Sequence, residues 1–331
     1  MVINMEEQDR SLQQLEQHAF YKEAEKLRIG MCIRVVLYLA VIAGASFAMH
    51  RYLDRSIGKY WPIVPLGGII TAKWFFKHPW EDYREAYKKG CVYGALESLF
   101  TDLYYDPYDG ISDRMISETG MMYMGDRVHT EDYIRASFNG IPFEQSDLRI
   151  EEKQVRTDAG RRRRNRIYGS PRYSSYYARI FSGRWMIFPL DKPFRTSVQI
   201  LQKGFRNTIP RRSAEQHSSD TVFERTGMEL ESFQKDFRVL VRNSHNSHSI
   251  VTPALMEQVQ NLSKHVKGKL MIGFLSDELH ISIDDNGNSL EPPINIFLPI
   301  RGESAVKRLR SEMESITQFF DWIRYNSQFY D

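Results

Sequence analysis

The sequence has little cysteine and none of the short motifs that mark the common catalytic sites. Its two cysteines, Cys32 and Cys91, are too few for the disulfide framework of a small secreted protein, and no C-x-x-C pair is present. The motifs G-x-G-x-x-G, G-K-[ST], H-E-x-x-H and G-x-S-x-G are also missing. Phosphate-binding loops, metalloprotease helices and hydrolase elbows are therefore unsupported, and we expect no catalytic residues and no cofactor.

Two polar clusters could in principle hold a metal, and both are typical of turns. His245 and His248 form the only close histidine pair, but asparagine and serine surround them. Residues 284–288 (DDNGN) group carboxylates and amides after a predicted strand. We interpret both as turns and expect no metal. Cys91 falls on an apolar helical face, which favours a buried small hydrophobe over a nucleophile.

No apolar run stands at the very start of the chain, where a cleaved secretory signal would place it. Two apolar runs come later. Residues 35–49 contain no charge, and residues 60–72 form a second uncharged run with prolines, glycines and flanking aromatic residues. At about 1.5 Å per residue, neither run alone crosses a hydrocarbon core of about 30 Å. Lysine and arginine side chains that reach the headgroups can lengthen each run into a span.

These runs predict three parts of the chain. Residues 1–30 form a polar cytoplasmic helix, residues 31–77 a transmembrane helical hairpin that contacts the lipid bilayer through residues 33–76, and residues 78–331 a cytoplasmic domain. The alternative is a pair of buried helices in a soluble core. Nine positive residues flank the hairpin at its two outer ends, against three in the turn, namely Lys22, Lys26, Arg28, Arg34, Lys73, Lys77, Arg84, Lys88 and Lys89 against Arg51, Arg55 and Lys59. This excess favours an inner-membrane, multi-pass protein with both termini in the cytoplasm.

The cytoplasmic domain has the pattern of an α+β fold with mostly antiparallel strands. Asn139-Gly140 predicts a tight hairpin between two alternating segments, and residues 276–278 predict a second one. Thr252-Pro253 predicts the start of a helix. Residues 80–103 carry apolar side chains four apart and predict a helix that continues out of the membrane.

One part of this domain is strongly basic. Residues 153–212 contain sixteen Lys/Arg and two acids, a net charge of +14, so the remainder of the chain carries 3 − 14 = −11. Arginines and tyrosines are interleaved in a basic insertion near residues 155–175. Its candidate contacts for anionic lipid or nucleic acid are Arg161, Arg162, Arg163, Arg164, Arg166, Arg172 and Tyr173. Three interpretations stay open, namely a solvated loop without a partner, contact with anionic lipid headgroups, and single-stranded nucleic acid. Tethering beside a bilayer favours lipid over nucleic acid.

The order of elements resembles a bacterial membrane-protein family catalogued as domain of unknown function 3137. Four stretches carry the resemblance, and they are residues 105–112 (YDPYDGIS), 131–153, 180–188 (IFSGRWMIF) and 249–256 (SIVTPALM). The resemblance implies membrane attachment and a mixed cytoplasmic domain, with no established activity and no catalytic residues to carry over. The basic insertion departs from the family pattern.

Together these observations predict a membrane-anchored cytoplasmic interaction domain, a scaffold or adaptor with an unidentified protein partner. Two other functions remain open, a membrane-tethered enzyme whose site is dispersed along the chain and a nucleic-acid binder that uses the arginine insertion.

Overall fold

The chain divides into two units, each built from separate stretches of the sequence. The computed structural model describes residues 2–52, 60–157, 173–205, 224–225, 231–242, 251–287, 290–293, 295–300 and 302–330. Unit 1, the helical unit, comprises Met1–Ser98 and Leu290–Val306. Unit 2, the sheet unit, comprises Leu99–Ser289 and Lys307–Asp331.

Long helices form the helical unit. Helix α1 runs over Val2–Tyr52 and α2 over Ile63–Ala86; a π-helical segment follows at Tyr87–Val92, and α3 covers Tyr93–Glu97. Helices α1 and α2 approach each other closely at Gly68 of α2. A Cβ at this position would overlap the side chain of Ile42 of α1. The Tyr38 hydroxyl donates to the Gly68 carbonyl at 2.6 Å and lies 2.7 Å from the Thr71 hydroxyl.

The helix predicted over residues 80–103 ends earlier than the sequence pattern indicates. It stops at Glu97, and Leu103 already lies in strand β1, which covers Thr101–Asp106. The ring of Phe100 contacts Phe138 and Phe143 with centroids 5.9 and 5.1 Å away. Because this ring is buried in the sheet unit, the chain leaves the helical conformation before Phe100, although the four-residue spacing of apolar residues continues in the sequence.

The sheet unit contains the other elements of the chain that the structure describes. Its strands are β1, β2 (Arg127–Phe138), β3 (Ile141–Thr157), β4 (Tyr173–Pro189), β5 (Val198–Gln202), β6 (Glu224–Arg225), β7 (Phe237–Val241), β8 (Lys269–Leu275) and β9 (Glu278–Asp284). Its helices are α4 (Asp113–Glu118), α5 (Glu231–Asp236), α6 (Pro253–His265) and α7 (Gly302–Tyr325), which begins in the helical unit, and a 3₁₀ turn covers Ser327–Phe329.

All the described strands pair antiparallel in one sheet, in the order β1-β2-β3-β4-β9-β8-β5-β7-β6. The mixed α+β class with antiparallel strands is therefore confirmed. Strand β4 lies in the interior of the sheet, next to the central strand β9, and it pairs with the long β3 on one side and with β9 on the other.

Both predicted hairpins and the predicted helix start are confirmed. Asn139 and Gly140 connect β2 to β3 with φ of 52° and 80°, the positive values that a two-residue turn of this kind needs. Ser276, with φ of 51°, begins the turn between β8 and β9. The Thr252 hydroxyl caps α6 by accepting from the Leu255 amide at 3.2 Å.

Side chains cover both faces of the central sheet. On one face, α7 packs Phe320 against Phe188 of β4, and Phe329 stacks on Phe274 of β8. On the other face, a cluster forms around the buried Trp185 that includes side chains from α4 and from the segment after it, with members Ile111, Ile116, Met121, Met122, Leu148, Ile150, Phe181, Ile187 and Met271. Burial on both faces explains why β8 and β9 are almost continuously buried.

Candidate functional site

Many exposed apolar side chains lie on α1 and α2. In the described residues, one helix segment is long and apolar enough to cross a membrane, Tyr21–Tyr52, with a mean hydropathy of 2.0 and only 6% of its most apolar window buried. Val41 of this segment is 70% exposed and Ile70 of α2 is 73% exposed. Soluble proteins rarely expose continuous apolar surface of this size. The helical unit therefore presents a candidate membrane interface.

Of the two predicted membrane spans, only the first, on α1, is long and apolar enough to cross a membrane among the described residues. The second, on α2, does not meet the same criterion of length and composition. Helix α2 carries Lys73 and Lys77 and contains Pro79 near the end of its apolar part. It nevertheless exposes Ile63, Leu66, Ile69, Trp74 and Phe75.

Residues 290–300, which lie far from α1 and α2 in the sequence, pack against these helices. The Arg28 guanidinium donates to the Ile296 carbonyl at 2.5 Å, and the Cys32 thiol donates to the same oxygen at 3.0 Å. The Tyr21 hydroxyl donates to the Ile300 carbonyl at 3.1 Å. The side chains of Ile296 and Ile300 are buried with Ala24, Met31 and Tyr83. Residues 290–300, which we call the return segment, are thus part of the helical unit.

An ion-pair network holds the beginning of the return segment. Lys88, on the π-helical segment, is 1% exposed and lies 2.9 Å from a carboxylate oxygen of Glu291. Arg84 Nε donates to both oxygens of the same carboxylate at 2.7 Å. Burial raises the pKa of Glu291, but the hydrogen bonds from Arg84 and Lys88 outweigh burial and hold this pKa below its ordinary value. Glu291 therefore stays ionised and compensates the buried ammonium group.

Cys91 is partly buried and packs against the core of the helical unit. Burial raises the pKa of its thiol to about 12, so the thiol is protonated at neutral pH. A thiol of this kind is a poor nucleophile, since the thiolate is the reactive form.

The sheet unit contains a buried group of charges that sequence reasoning did not identify. Arg184 of β4 is buried, and its Nη2 lies 2.9 Å from each carboxylate oxygen of Glu312 on α7. Its Nε lies 3.8 Å from Asp285, which follows β9. Asp147 of β3 stands directly opposite Arg184 in the strand register, so both side chains share one face of the sheet. We call Asp147, Arg184, Asp285 and Glu312 the buried charge cluster.

Asp147 is the unusual member of this cluster. Among the described residues, neither of its carboxylate oxygens has a hydrogen-bond partner. Burial raises its pKa well above the ordinary range, and repulsion from Asp132 adds to this effect, while Arg184 opposes it. The neutral, protonated acid is therefore favoured.

The neighbouring Asp132 is fixed by the backbone. It has a φ of 58° at an irregularity in the pairing of β2 with β3, and the Tyr105 hydroxyl donates to its Oδ1 at 2.5 Å. The cluster's members are all buried or nearly so. This arrangement stabilises the contact between the sheet and α7, and it shows no substrate access in the described residues.

The predicted contact residues of the basic insertion fall mostly outside the described residues. Arg161, Arg162, Arg163, Arg164, Arg166 and Arg172 are among those not described, as are His245 and His248. Tyr173 begins β4 and pairs with Thr157 of β3. The ladder of β3 and β4 thus extends to both ends of the insertion. The predicted turn at residues 284–288 is supported by a hydrogen bond from the Gly287 amide to Asp285 Oδ1 at 2.9 Å.

Comparison with known proteins supports the family resemblance. The family described as "Protein of unknown function (DUF3137)" matches residues 179–324, which include two of the four stretches that suggested it. The resemblance is confirmed over this range. No curated protein matches the chain. A solved structure, the crystal structure of the mycobacterial trehalose monomycolate transport factor A, TtfA, is similar with 9% identity and a TM-score of 0.35, covering 70% of this chain and 97% of that one. A TM-score this low does not indicate a shared fold.

Replacing Glu312 by glutamine should destabilise the sheet unit. Arg184 would remain buried after losing its closer carboxylate partner, with only Asp285 left at 3.8 Å. Removing one partner of a buried pair typically costs about 3 kcal/mol of unfolding free energy. The measurement is denaturant unfolding of the full chain in detergent, followed by tryptophan fluorescence. The matched control is Asp191→Asn, which removes a carboxylate from the exposed pair of Asp191 with Arg324 at 3.0 Å and should leave the transition unchanged. Equal effects of the two substitutions would contradict the role of the cluster.

Replacing Asp147 by asparagine should stabilise the chain at pH 8 and have little effect near pH 4. The unfolded acid releases its proton above about pH 4, whereas the folded one retains it. The wild-type protein therefore loses stability as pH rises from about 4 toward the raised pKa of Asp147, and asparagine removes this loss. Melting temperatures of both proteins across this range provide the measurement, with the exposed Asp236→Asn as control. If the melting temperatures of the two proteins differ more at pH 4 than at pH 8, the pKa of Asp147 is not raised and our assignment of its neutral form is wrong.

Proposed function

We propose that this chain, whose residues 179–324 match the DUF3137 family, is a membrane-anchored interaction protein, a scaffold or adaptor whose sheet unit lies in the cytoplasm. The observation that carries this proposal is the exposed apolar surface of α1 and α2. Among the described residues of the helical unit, no contact covers Val41 or Ile70, and a bilayer supplies the apolar surroundings that such side chains require.

We further propose that α1 and α2 form a transmembrane hairpin through residues 33–76. From residue 31 to residue 50, α1 extends over about 30 Å, which matches the hydrocarbon thickness. From residue 63 to residue 76, α2 extends over about 20 Å, and Lys73 can reach the headgroups by extending along the helix. The Tyr38 hydroxyl bonds to the Gly68 carbonyl and the Thr71 hydroxyl, so these polar groups have partners inside an apolar environment.

The distribution of charge orients the proposed hairpin. The nine basic residues at its outer ends exceed the three in the turn, and the excess favours an inner membrane with both termini in the cytoplasm. This orientation places the basic insertion on the side of the anionic leaflet. Each basic residue held near such a surface contributes up to about 1 kcal/mol of attraction, so we propose anionic lipid headgroups as its contact.

The hairpin makes a prediction about labelling. We expect the full chain to stay with membranes after an alkaline wash. In a chain with Cys32→Ser and Cys91→Ser, a cysteine at Ser56 should react with a membrane-impermeant maleimide added outside spheroplasts. A cysteine at the exposed Glu257 should react only after lysis.

Two results would contradict the proposed topology. Protection of the residue-56 cysteine until lysis would exclude the hairpin but leave a single span possible. Recovery of the unmodified chain in the soluble fraction without detergent would exclude membrane anchoring altogether.

The basic insertion makes a second prediction. In the full chain, reconstituted in nanodiscs of phosphatidylcholine, serine at Arg161, Arg162, Arg163, Arg164 and Arg166 should remove most binding to vesicles that contain phosphatidylglycerol, and added salt should weaken binding of the unmodified chain. We expect the melting temperature to be nearly unchanged, because substitutions in a solvated loop typically change stability by less than about 0.5 kcal/mol.

The matched control removes five exposed basic residues elsewhere, and they are Lys264, Lys267, Lys269, Lys307 and Arg308. This control should retain most vesicle binding. If the serine variant instead loses binding to single-stranded oligonucleotides and keeps binding to vesicles, the insertion contacts nucleic acid and the lipid proposal is wrong. Unchanged binding in both assays would also reject it.

A further inference from the structure

The return segment exposes an apolar turn beside α1. The Leu298 amide donates to the Asn295 carbonyl at 3.3 Å, and the Phe297 amide donates to Asn295 Oδ1 at 3.2 Å, so residues 295–298 form a hydrogen-bonded turn. Phe297 is 59% exposed and Leu298 is 56% exposed. Exposed turns ordinarily carry polar residues, glycine or proline. Two adjacent large apolar side chains at this place require an explanation outside the helical unit.

The hydrogen bonds on either side of the turn hold it against α1. The carbonyl of Ile296 is bound by Arg28 and Cys32, and the carbonyl of Ile300 by Tyr21. The side chains of Ile296 and Ile300 point into the core of the helical unit. Because the residues on both sides are fixed inward, Phe297 and Leu298 project outward. The packing of their neighbours fixes the direction of these two side chains but does not cover them.

The turn lies at the level where α1 changes from charged to apolar. Its partners Arg28 and Cys32 precede the uncharged run that starts at residue 35 by about 5 to 10 Å along the helix axis. If that run crosses the hydrocarbon core, these residues lie at the depth of the headgroups. Ile29 and Ile33 on the same turns of α1 are also exposed, so the apolar surface continues onto α1. Side chains at this depth are commonly apolar anchors with positive neighbours.

The charges around this level favour an anionic surface. On the stretch of α1 that contains the turn's partners, the exposed charged residues are Lys22, Lys26 and Arg34 against one acid, Glu23, whereas Lys89 on the π-helical segment pairs with Glu85 at 2.6 Å. An apolar tip with an excess of cations on the same stretch of helix is typical of surfaces that insert among anionic lipids. A protein partner would have to compete for a surface that the proposed membrane span already brings to the lipid.

We propose that the Phe297–Leu298 turn inserts into the headgroup region of the cytoplasmic leaflet and forms a membrane contact separate from the spanning helices. The proposal rests on the membrane anchoring proposed above. A loop that follows β9 in sequence thereby fixes the helical unit against the bilayer surface, in addition to the anchor that α1 supplies.

The test places an environment-sensitive fluorophore on single cysteines in the full chain. The chain carries Cys32→Ser and Cys91→Ser, and the serine at position 32 keeps a donor for the Ile296 carbonyl. The label positions are Leu298→Cys, Val41→Cys as a reference for the anchor, and Glu257→Cys as an exposed reference on α6. The protein is reconstituted in nanodiscs of phosphatidylethanolamine and phosphatidylglycerol, with nitroxide groups placed either near the headgroup or deep in the acyl chain.

At Leu298 we expect blue-shifted emission and stronger quenching by the shallow nitroxide than by the deep one. The label at Val41 should be quenched most by the deep nitroxide, and the label at Glu257 only by aqueous iodide. If Val41 is quenched by lipid and Leu298 behaves like Glu257, the turn is in water and this inference alone is wrong. If Leu298 is blue-shifted but unquenched by either lipid nitroxide, a protein covers the turn and the lipid proposal is wrong.

Failure of the anchoring proposal has a different signature. In that case the label at Val41 would also escape quenching by both lipid nitroxides. The variant Phe297→Ser, Leu298→Ser adds a readout without a fluorophore. It should remain in the membrane through α1, while a protease site introduced at Asn295 becomes more readily cleaved than in the unsubstituted turn. Equal cleavage rates in nanodiscs would contradict insertion of the turn.

Discussion

Coverage of the central sheet on both faces is the constraint on which the structure of the sheet unit depends. Strand β4 pairs on both sides, and the contact with β9 is so close at Gly183 that a Cβ there would overlap the carbonyl of Ile283. With α7 on one face and the Trp185 cluster on the other, the side chains of Asp147 on β3 and Arg184 on β4 are buried away from water. Any charge placed there must find a partner inside the unit or lose its charge.

Both solutions occur within the buried charge cluster. Arg184 has the carboxylates of Glu312 and Asp285 as partners, whereas Asp147 has no donor among the described residues and shifts toward its neutral form. In the helical unit, Lys88 follows the first solution, since Glu291 stays ionised between two cations. In both units the partner carboxylate comes from a distant part of the sequence, so these pairs also determine which segments pack together.

Local features of the fold could be predicted from the sequence, and the long-range contacts could not. The Asn139-Gly140 turn, the Thr252 cap and the antiparallel class follow from interactions within a few residues. The end of the helix at Glu97 and the packing of α7 on β4 depend on burial against residues far along the chain, which periodicity does not encode. Arg184 within an apolar strand was a signal for the cluster, but its partner Glu312 lies 128 residues away. The return segment was likewise invisible, because only tertiary contacts distinguish its turn from an ordinary linker.

The two units depart from the usual distribution of side chains in opposite ways, and the comparison indicates where function should be sought. The sheet unit buries Asp147, Arg184 and Glu312, and the contacts inside the unit account for this burial. The helical unit exposes Val41, Ile70 and the Phe297–Leu298 turn, and its own contacts do not account for that exposure. Burial that is compensated internally reflects stability, whereas apolar exposure without an internal cause implies surroundings other than water. The apolar surfaces of the helical unit therefore carry the stronger functional evidence, even though the buried charges have the more perturbed chemistry.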